Sequence, residues 1–242
     1  MKPLRRGVLF DFDGTLIDTW RLYLESFRRS LEPHFKRLLT DPEILEYQPI
    51  AERRLLQQIV EQARVSDSFA SFLSHYRSLH ETHCDGLYHG TLTMLNGLRA
   101  EGYVLGVVTG KSRAAWTITF GHSKLEPFDA VITDDDVTHP KPHPEGLIAG
   151  LHTLDVEPSR AIYIGDSVFD CRAAHAAKVR FGAPLWSKST DEGETFRKVI
   201  GTLGDAQYFS DPASVLEALK GWTCHDEPVT SAVNFISRKR PI

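Results

Sequence analysis

The chain has 242 residues, of which 41% are hydrophobic and 25% are charged, and its formal net charge is -4 at pH 7. This composition is typical of a soluble globular protein, and it offers no bulk attraction for nucleic acid or for anionic membranes. Three scattered cysteines, Cys84, Cys171 and Cys224, predict no disulfide framework and favour a reducing cytoplasm. We therefore expect no nucleic-acid partner and no membrane partner.

The first predicted element is a buried strand over residues 7–12. Three predicted helices follow, at 18–39, 51–64 and 67–84. They are rich in Leu, Arg, Glu and Gln, and their apolar residues recur three and four positions apart, which is the helical period. One strand followed by a block of helices indicates a core whose chain is interrupted by a helical insert.

From about residue 87 the pattern becomes an alternation of helices and strands. The predicted strands lie at 103–109, 129–132, 160–165, 179–183 and 206–209. The predicted helices lie at 91–101, 112–121, 144–154, 168–177, 191–203 and 212–220. Such alternation predicts right-handed crossovers and a parallel sheet that is covered on both faces. The fold class is therefore α/β.

Two short stretches resemble ligand-binding loops without matching them. The sequence GVVTGKS, residues 106–112, has three residues between its glycines, whereas a phosphate-binding P-loop requires four. The acidic run DDD, residues 134–136, is interpreted as a solvated acidic loop, the usual explanation for such a run. The first stretch is therefore not a P-loop, and the second is not assigned a functional role.

Two carboxylates, Asp11 and Asp13, stand at the end of the first predicted strand. Strand geometry directs alternate side chains to the same side, with Phe12 packed the other way. Ligands of open parallel sheets bind beyond the carboxyl ends of the strands. Because two close carboxylates repel each other, we expect a cation between them, and Mg²⁺ fits because it prefers oxygen ligands.

Three other strand ends carry matching polar groups. Thr109 and free backbone N–H groups end the second core strand, Lys141 lies in the loop after the third, and Asp166 and Asp170 follow the fourth. The collected site holds an anionic nucleophile, a hydroxyl, an ammonium and further carboxylates. These groups are what phosphoryl transfer requires: an in-line nucleophile, a proton donor and positive charge around the phosphoryl oxygens.

Four motifs occur in the order DFDGTLIDT, VVTGKS, KPHPE and GDSVFD. In order and in the elements that carry them, they resemble the motifs of the haloacid dehalogenase superfamily, in its phosphoglycolate phosphatase-like branch. The resemblance covers about residues 7–220. It implies a Rossmann-like parallel-sheet core of residues 1–16 and 87–220 and an inserted all-helical cap domain of residues 17–86. The last stretch, residues 221–242, has weak periodicity and is expected to be a loosely held tail.

The resemblance implies a role for each motif residue. Asp11 attacks phosphorus, while Asp13 protonates the leaving oxygen and then deprotonates the attacking water. Thr109 and the N–H of Gly110 hold phosphoryl oxygens, and Lys141 offsets the charge of Asp11 and of the phosphate. The implied cofactor is Mg²⁺, whose site is formed by four residues: Asp11, Asp13 through its carbonyl, Asp166 directly, and Asp170 as a supporting residue.

The helical cap is expected to select the substrate. Relatives use the region around residues 47–56 to contact the non-phosphate part of the substrate. Glu52, Arg53 and Arg54 are therefore candidate specificity residues, although a surface helix start explains them equally well.

The predicted function is a Mg²⁺-dependent phosphatase that hydrolyses a small phosphorylated metabolite, phosphoglycolate or a related ester, through an aspartyl phosphate. The alternatives are a phosphomutase of the β-phosphoglucomutase type, an inorganic pyrophosphatase or nucleotidase on the same fold, and a catalytically silent binding protein. The expected partner is the small phosphorylated substrate, and the expected state is a monomer or homodimer.

Overall fold

The structure is a computed structural model that describes residues 5–47 and 51–222. The strands are β1 (Arg6–Phe10), β2 (Ile17–Asp18), β3 (Gly86–Leu87), β4 (Tyr103–Val108), β5 (Ala130–Ile132), β6 (Ala161–Ile164), β7 (Arg180–Pro184) and β8 (Gln207–Phe209). The α-helices are α1 (Trp20–Phe35), α2 (Asp41–Leu45), α3 (Glu52–Ile59), α4 (Val65–His83), α5 (Thr91–Ala100), α6 (Arg113–Ser123), α7 (Glu145–Leu154), α8 (Val168–Ala176), α9 (Thr190–Leu203) and α10 (Pro212–Leu219).

Six strands form a single sheet in the order β5-β4-β1-β6-β7-β8, and every neighbouring pair in it is parallel. β1 lies at the centre, and its successive residues face opposite layers. Val8 and Phe10 belong to one buried cluster, and Leu9 belongs to the other. Burial of apolar side chains on both faces explains why β1 reads as a continuous apolar run. The predicted α/β class with a Rossmann-like parallel sheet is confirmed.

The helices between β2 and β3 form a separate hydrophobic cluster. Helices α1 and α4 pack along each other, and the rings of Phe27 and Phe72 lie 4.4 Å apart between them. The chain leaves the sheet through β2 and returns through β3, and these two short strands pair antiparallel. The helical cap thus sits beyond the carboxyl end of β1, while its exact limits, residues 17–86, stay a prediction.

Two predicted helix boundaries are wrong. The predicted helix 18–39 ends at Phe35, because Lys36 adopts a left-handed conformation (φ 55°) that stops the helix. A second helix, α2, was missed, and it begins with a capping box between Thr40 and Glu43. The predicted helix 51–64 ends at Ile59, because Val60 is extended.

The predicted tail lies outside the described residues from position 223 onward. Its second residue, Trp222, is packed against the sheet edge: its ring stacks on Tyr103 with 6.2 Å between centroids, and its carbonyl accepts a 2.7 Å hydrogen bond from Arg6. Across the described ranges, the helices lack the length and apolar character that crossing a bilayer requires.

Candidate active site

A cavity of about 550 Å³ lies between the carboxyl edge of the sheet and the helical cap. It brings together the sequence-predicted residues Asp11, Asp13, Thr109, Gly110, Lys141 and Asp166 from the core and Glu52 from the cap. Aromatic side chains form the wall on the cap side and beside β3, namely Trp20, Tyr23 and Tyr88. The strand ends therefore converge as the sequence predicts, because parallel strands place their carboxyl ends at one edge.

Asp11 lies directly after β1 and is held from both ends. Its backbone N–H donates to the carbonyl of Ile164 at 2.8 Å, and its Oδ1 accepts from the N–H of Phe12 at 2.8 Å. Its Oδ2 is 3.1 Å from Nζ of Lys141. Burial raises the pKa of Asp11 to about 8, since Lys141 offsets only part of the cost and neighbouring carboxylates add to it.

Asp170 is fully buried and holds Lys141 in place. Its Oδ1 accepts from Nζ of Lys141 at 2.6 Å and from the hydroxyl of Tyr163 at 2.8 Å. Its Oδ2 accepts from the N–H and the hydroxyl of Ser167, at 3.0 and 2.6 Å. Burial alone would lower the pKa of Lys141, but Asp11 and Asp170 raise it above its ordinary value. Lys141 is therefore a permanent ammonium beside Asp11.

The carboxylates of Asp11, Asp166 and Asp170 form a cluster in which one oxygen of each lies within 4.8 Å of the others. Burial raises the pKa of Asp166, and Asp170 adds to this effect, although Lys188 lies 3.2 Å away and opposes it. A set of carboxylate oxygens at a cavity, with fewer positive charges than negative ones beside it, fits a hard divalent cation. The residues present therefore fit a magnesium site.

Gly14 explains how the backbone comes so close to this cluster. Its φ is +76°, and a Cβ at this position would lie 2.6 Å from Oδ2 of Asp166. Only glycine avoids both the strained backbone conformation and the clash. The glycine of the DFDGT motif is thus required by the position of a carboxylate 152 residues later in the chain.

Lys111 is a site residue that the sequence interpretation missed. Its side chain is only 1% exposed, and its Nζ donates to both oxygens of Asp13 at 2.9 Å. Asp13 also accepts from the hydroxyl of Thr19, a residue of the cap side. The available signal was the lysine of the rejected GVVTGKS stretch, which follows a strand end as Thr109 does.

Thr109 and Gly110 stand at the end of β4 and line the cavity. The N–H of Thr109 donates to the carbonyl of Ile132 at 3.0 Å, which fixes the turn, and its hydroxyl accepts from the N–H of Lys111 at 3.2 Å. The turn after β4 therefore presents a hydroxyl and a backbone to the same cavity that Asp11 and Lys141 face.

The three cap candidates take different positions. Glu52 is fully buried and lines the cavity. The guanidinium of Arg53 lies 4.2 Å over the ring of Phe69, within the cap. Nε of Arg54 donates to both carboxylate oxygens of Asp134, at 2.8 and 2.9 Å. Neither arginine is among the described residues that line the cavity, so their role as substrate contacts stays a prediction.

The acidic run 134–136 is solvated only in part, because Asp135 and Asp136 are exposed whereas Asp134 is buried. Asp134 is 9% exposed and pairs with Arg54 of the cap. Asp135 accepts a 2.7 Å hydrogen bond from the N–H of Arg113, and Asp136 accepts from the N–H of Thr133 at 2.7 Å. The run also joins the cap to the core through Asp134 and accepts hydrogen bonds from local backbone N–H groups.

Comparison with known proteins agrees with this architecture. A sequence profile of the family described as haloacid dehalogenase-like hydrolase matches residues 8–183. The pyrophosphatase PpaX of Bacillus cereus is 33% identical over 184 residues, which cover 74% of this chain and 83% of that protein.

Two solved structures show the same fold. A predicted phosphoglycolate phosphatase from Haemophilus somnus superposes with a TM-score of 0.70 at 21% identity, covering 90% of this chain and 99% of that one. CbbY from Rhodobacter sphaeroides, solved in complex with phosphate, superposes with a TM-score of 0.67 at 24% identity, covering 75% of this chain and 86% of that one. The four motifs all lie within or at the edge of the residues that the profile matches, and the chain belongs to the haloacid dehalogenase-like hydrolase family.

Proposed function

We propose that the protein is a Mg²⁺-dependent phosphohydrolase that uses Asp11 as its nucleophile. The observation that carries this proposal is the position of Asp11, at the floor of the cavity with its Oδ2 beside the Lys141 ammonium and within the carboxylate cluster. A nucleophilic carboxylate, a fixed cation and a candidate metal site in one cavity match the requirements of phosphoryl transfer.

The reaction proceeds in two balanced steps. In the first, a carboxylate oxygen of Asp11 forms a bond to phosphorus, the bond from phosphorus to the leaving oxygen breaks, and Asp13 gives its proton to that oxygen. In the second, water attacks the aspartyl phosphate, Asp13 takes the proton, and the bond between phosphorus and Asp11 breaks. Inorganic phosphate leaves and both carboxylates return to their starting states.

The surrounding residues hold these groups in position. Lys141 places its charge against Asp11 and the transferred phosphoryl oxygens, and Thr109 with the N–H of Gly110 binds the remaining oxygens. Asp11, Asp166 and the carbonyl of Asp13 would hold Mg²⁺, whereas Asp170 orients Lys141, since each of its oxygens already accepts two hydrogen bonds. Bound Mg²⁺ supplies positive charge that neutralises the carboxylates and the phosphate.

The two candidate substrate classes are inorganic pyrophosphate and phosphate monoesters. The name of the 33% identical relative favours inorganic pyrophosphate. The cavity favours a monoester, because its aromatic wall of Trp20, Tyr23 and Tyr88 suits the carbon skeleton of a leaving group. Phosphomutase chemistry stays an alternative, and it differs by returning the phosphoryl group to a sugar instead of water.

A panel assay tests the proposal. Phosphate release is measured from para-nitrophenyl phosphate, phosphoglycolate, sugar phosphates and pyrophosphate, each with Mg²⁺. We expect release from at least one of them, without any bisphosphate activator. Activity that appears only when a sugar bisphosphate is added would instead identify a phosphomutase, and complete inactivity across the panel would contradict the proposal.

The Lys111→Met variant tests whether the contact between Lys111 and the Asp13 carboxylate is needed for catalysis. Without the ammonium that contacts both of its oxygens, the Asp13 carboxyl loses the contact that orients it towards the leaving oxygen, so kcat for an alkyl phosphate should fall by about 10–100-fold. Para-nitrophenyl phosphate, whose leaving group needs little protonation, should lose much less. A merely structural role for Lys111 would lower both rates equally. Lys198→Met, on the exposed face of α9, is the matched control.

A further inference from the structure

A second group of metal-binding side chains lies on the surface, in the segment between β5 and α7. His139 and His143 flank Lys141 there, and Glu145 is the first residue of α7. In the described part of the chain, three or more potential metal-ligating side chains converge at two places, the carboxylate cluster of the active site and this group. None of its three members is among the described residues that line the active-site cavity. The group is therefore separate from the proposed magnesium site.

The carboxylate of Glu145 is held in position by the backbone. Its Oε1 accepts a hydrogen bond from the N–H of Thr138 at 2.8 Å, and its Oε2 accepts from the N–H of His139 at 3.0 Å. The backbone hydrogen bond from Thr138 and the contact with the His139 imidazole lower the pKa of Glu145 to about 2. The carboxylate is therefore ionised at neutral pH, and its position does not depend on a bound ion.

The ligand atoms lie at about the spacing that a transition metal requires. Nδ1 of His139 is 2.8 Å from Oε2 of Glu145, and Nδ1 of His143 is 3.9 Å from the same oxygen. Bonds of about 2.0–2.1 Å would set the donors of a tetrahedral zinc ion about 3.3 Å apart. The two histidine side chains are 63% and 52% exposed, so their rings have room to turn onto an ion.

Two existing contacts would be exchanged for the ion. Because an ionised carboxylate only accepts, Nδ1 of His139 carries the proton of its contact with Glu145, and the ion would displace that proton to solvent. Nδ1 of His143 accepts a long, 3.3 Å hydrogen bond from the N–H of Glu145. This N–H belongs to the first turn of α7, whose backbone donors have no partner within the helix, so water can take over that contact.

We propose that His139, His143 and Glu145 form a binding site for a divalent transition-metal ion of the zinc class. Two imidazole nitrogens and one carboxylate oxygen suit Zn²⁺, whereas Mg²⁺ prefers oxygen ligands alone. Three protein ligands leave the fourth position to water. This inference goes beyond the proposed phosphohydrolase function and does not rest on it, because its test measures binding.

An ion at this site would bridge the two sides of Lys141. The turn between the histidines is already closed by a 2.9 Å hydrogen bond from the N–H of His143 to the carbonyl of Pro140. A metal bond to each histidine would add a second closure around the same turn. The ion would thus stiffen the loop that places the Lys141 ammonium beside Asp11.

Calorimetric titration of the untagged protein with Zn²⁺, in the presence of excess Mg²⁺, tests the site. We expect the wild type and Asp166→Asn to bind one Zn²⁺ per chain there. Loss of an outer-shell partner alone commonly costs about 10–100-fold in metal affinity, so His139→Ala and His143→Ala should each weaken binding by at least about tenfold. His152→Ala, which removes an exposed histidine of α7, should bind Zn²⁺ as the wild type does.

The histidine variants should keep the metal-free Tm of the wild type, because exposed ion pairs contribute little to stability. Equal Zn²⁺ affinity in the wild type, His139→Ala and His143→Ala would overturn the assignment. Zn²⁺ binding that survives in both histidine variants and is lost in Asp166→Asn would place the ion in the carboxylate cluster instead, and would also refute it.

Hydrogen exchange tests the effect on the loop. Zn²⁺ should slow amide exchange across residues 137–145 of the wild type and leave exchange in His143→Ala unchanged, because only the wild type can close the turn through the metal. Bound Zn²⁺ without slower exchange in this segment would refute the stiffening of the Lys141 loop.

Discussion

The Asp11→Asn variant is expected to release phosphate at least about 10³-fold more slowly than the wild-type protein, on every substrate that the wild type hydrolyses. The amide keeps the shape of the carboxylate but cannot attack phosphorus. The geometric reason is the position of Asp11, which lines the cavity with its Oδ2 3.1 Å from Nζ of Lys141. Initial rates of phosphate release with saturating Mg²⁺ measure the effect.

The matched control for this variant is Asp191→Asn, which removes an exposed carboxylate near the start of α9. It should retain the wild-type rate. Near-normal turnover in Asp11→Asn would exclude Asp11 as the nucleophile. A comparable loss on para-nitrophenyl phosphate and on the preferred substrate is required, because the nucleophile serves every leaving group alike.

The same variant should change how stability depends on pH in the metal-free protein. Burial and the neighbouring carboxylates raise the pKa of Asp11 from 3.8 to about 8, which Lys141 only partly opposes. A carboxyl whose pKa is raised on folding contributes stability below its unfolded pKa and loses that contribution as pH rises through the folded pKa. Asn cannot titrate and avoids this loss. The Tm of Asp11→Asn minus the Tm of the wild type should therefore increase as the pH rises from 4 to 8.

The contrary outcome would be a variant that is less stable at pH 8. Such a result would mean that Asp11 is held ionised by Lys141 strongly enough to stabilise the fold. Lys141 keeps a second partner in the variant, because its Nζ also lies 2.6 Å from Asp170. Its charge is therefore not left unpaired by the substitution, and thermal denaturation in the presence of chelator isolates the effect of Asp11.

The sequence predicted the core well because its signals are local. The strands β4, β5 and β6 are short apolar runs followed by polar residues, and the catalytic motifs follow those strand ends. Helix ends were predicted less well, since the left-handed turn at Lys36 replaces a continuation that the apolar periodicity favoured. Asp11 and Asp13 also lie beyond the last residue of β1, Phe10, so a loop and not strand alternation directs both into the cavity.

The parts of the site that escaped prediction are pairings between distant residues. Lys111 contacts Asp13 across 98 positions, and Lys188 contacts Asp166 across 22. Lys188 belongs to no recognisable spacing, and Lys111 stands in the VVTGKS motif without an assigned role. Each contact forms only once the sheet brings the strand ends together. Arg54 is the converse case, because its charge suggested a substrate contact while the fold gives it Asp134 as a partner.

Removal of divalent cations is expected to abolish phosphate release, and Mg²⁺ should restore it. The carboxylates of Asp11, Asp166 and Asp170 lie close together and are only partly neutralised by lysines, and a divalent cation would balance the remaining charge. Ca²⁺ should restore little activity, because it takes more ligands at longer distances than Mg²⁺. Full activity after exhaustive chelation would contradict the proposed site.

Binding can be followed without turnover, through stability. A ligand that binds only the folded state at 100 times its Kd adds about 2.7 kcal/mol, which for a chain of this size raises Tm by about 5–10 °C. Mg²⁺ should therefore raise the Tm of the wild-type protein, and Asp166→Asn should lose most of that rise because it removes a ligand that faces the cavity. Glu194→Gln, an exposed change on α9, should keep the full shift. An equal Mg²⁺ effect in Asp166→Asn and in the wild type would place the cation elsewhere, whereas a lost shift together with lost activity would assign the metal to this cluster.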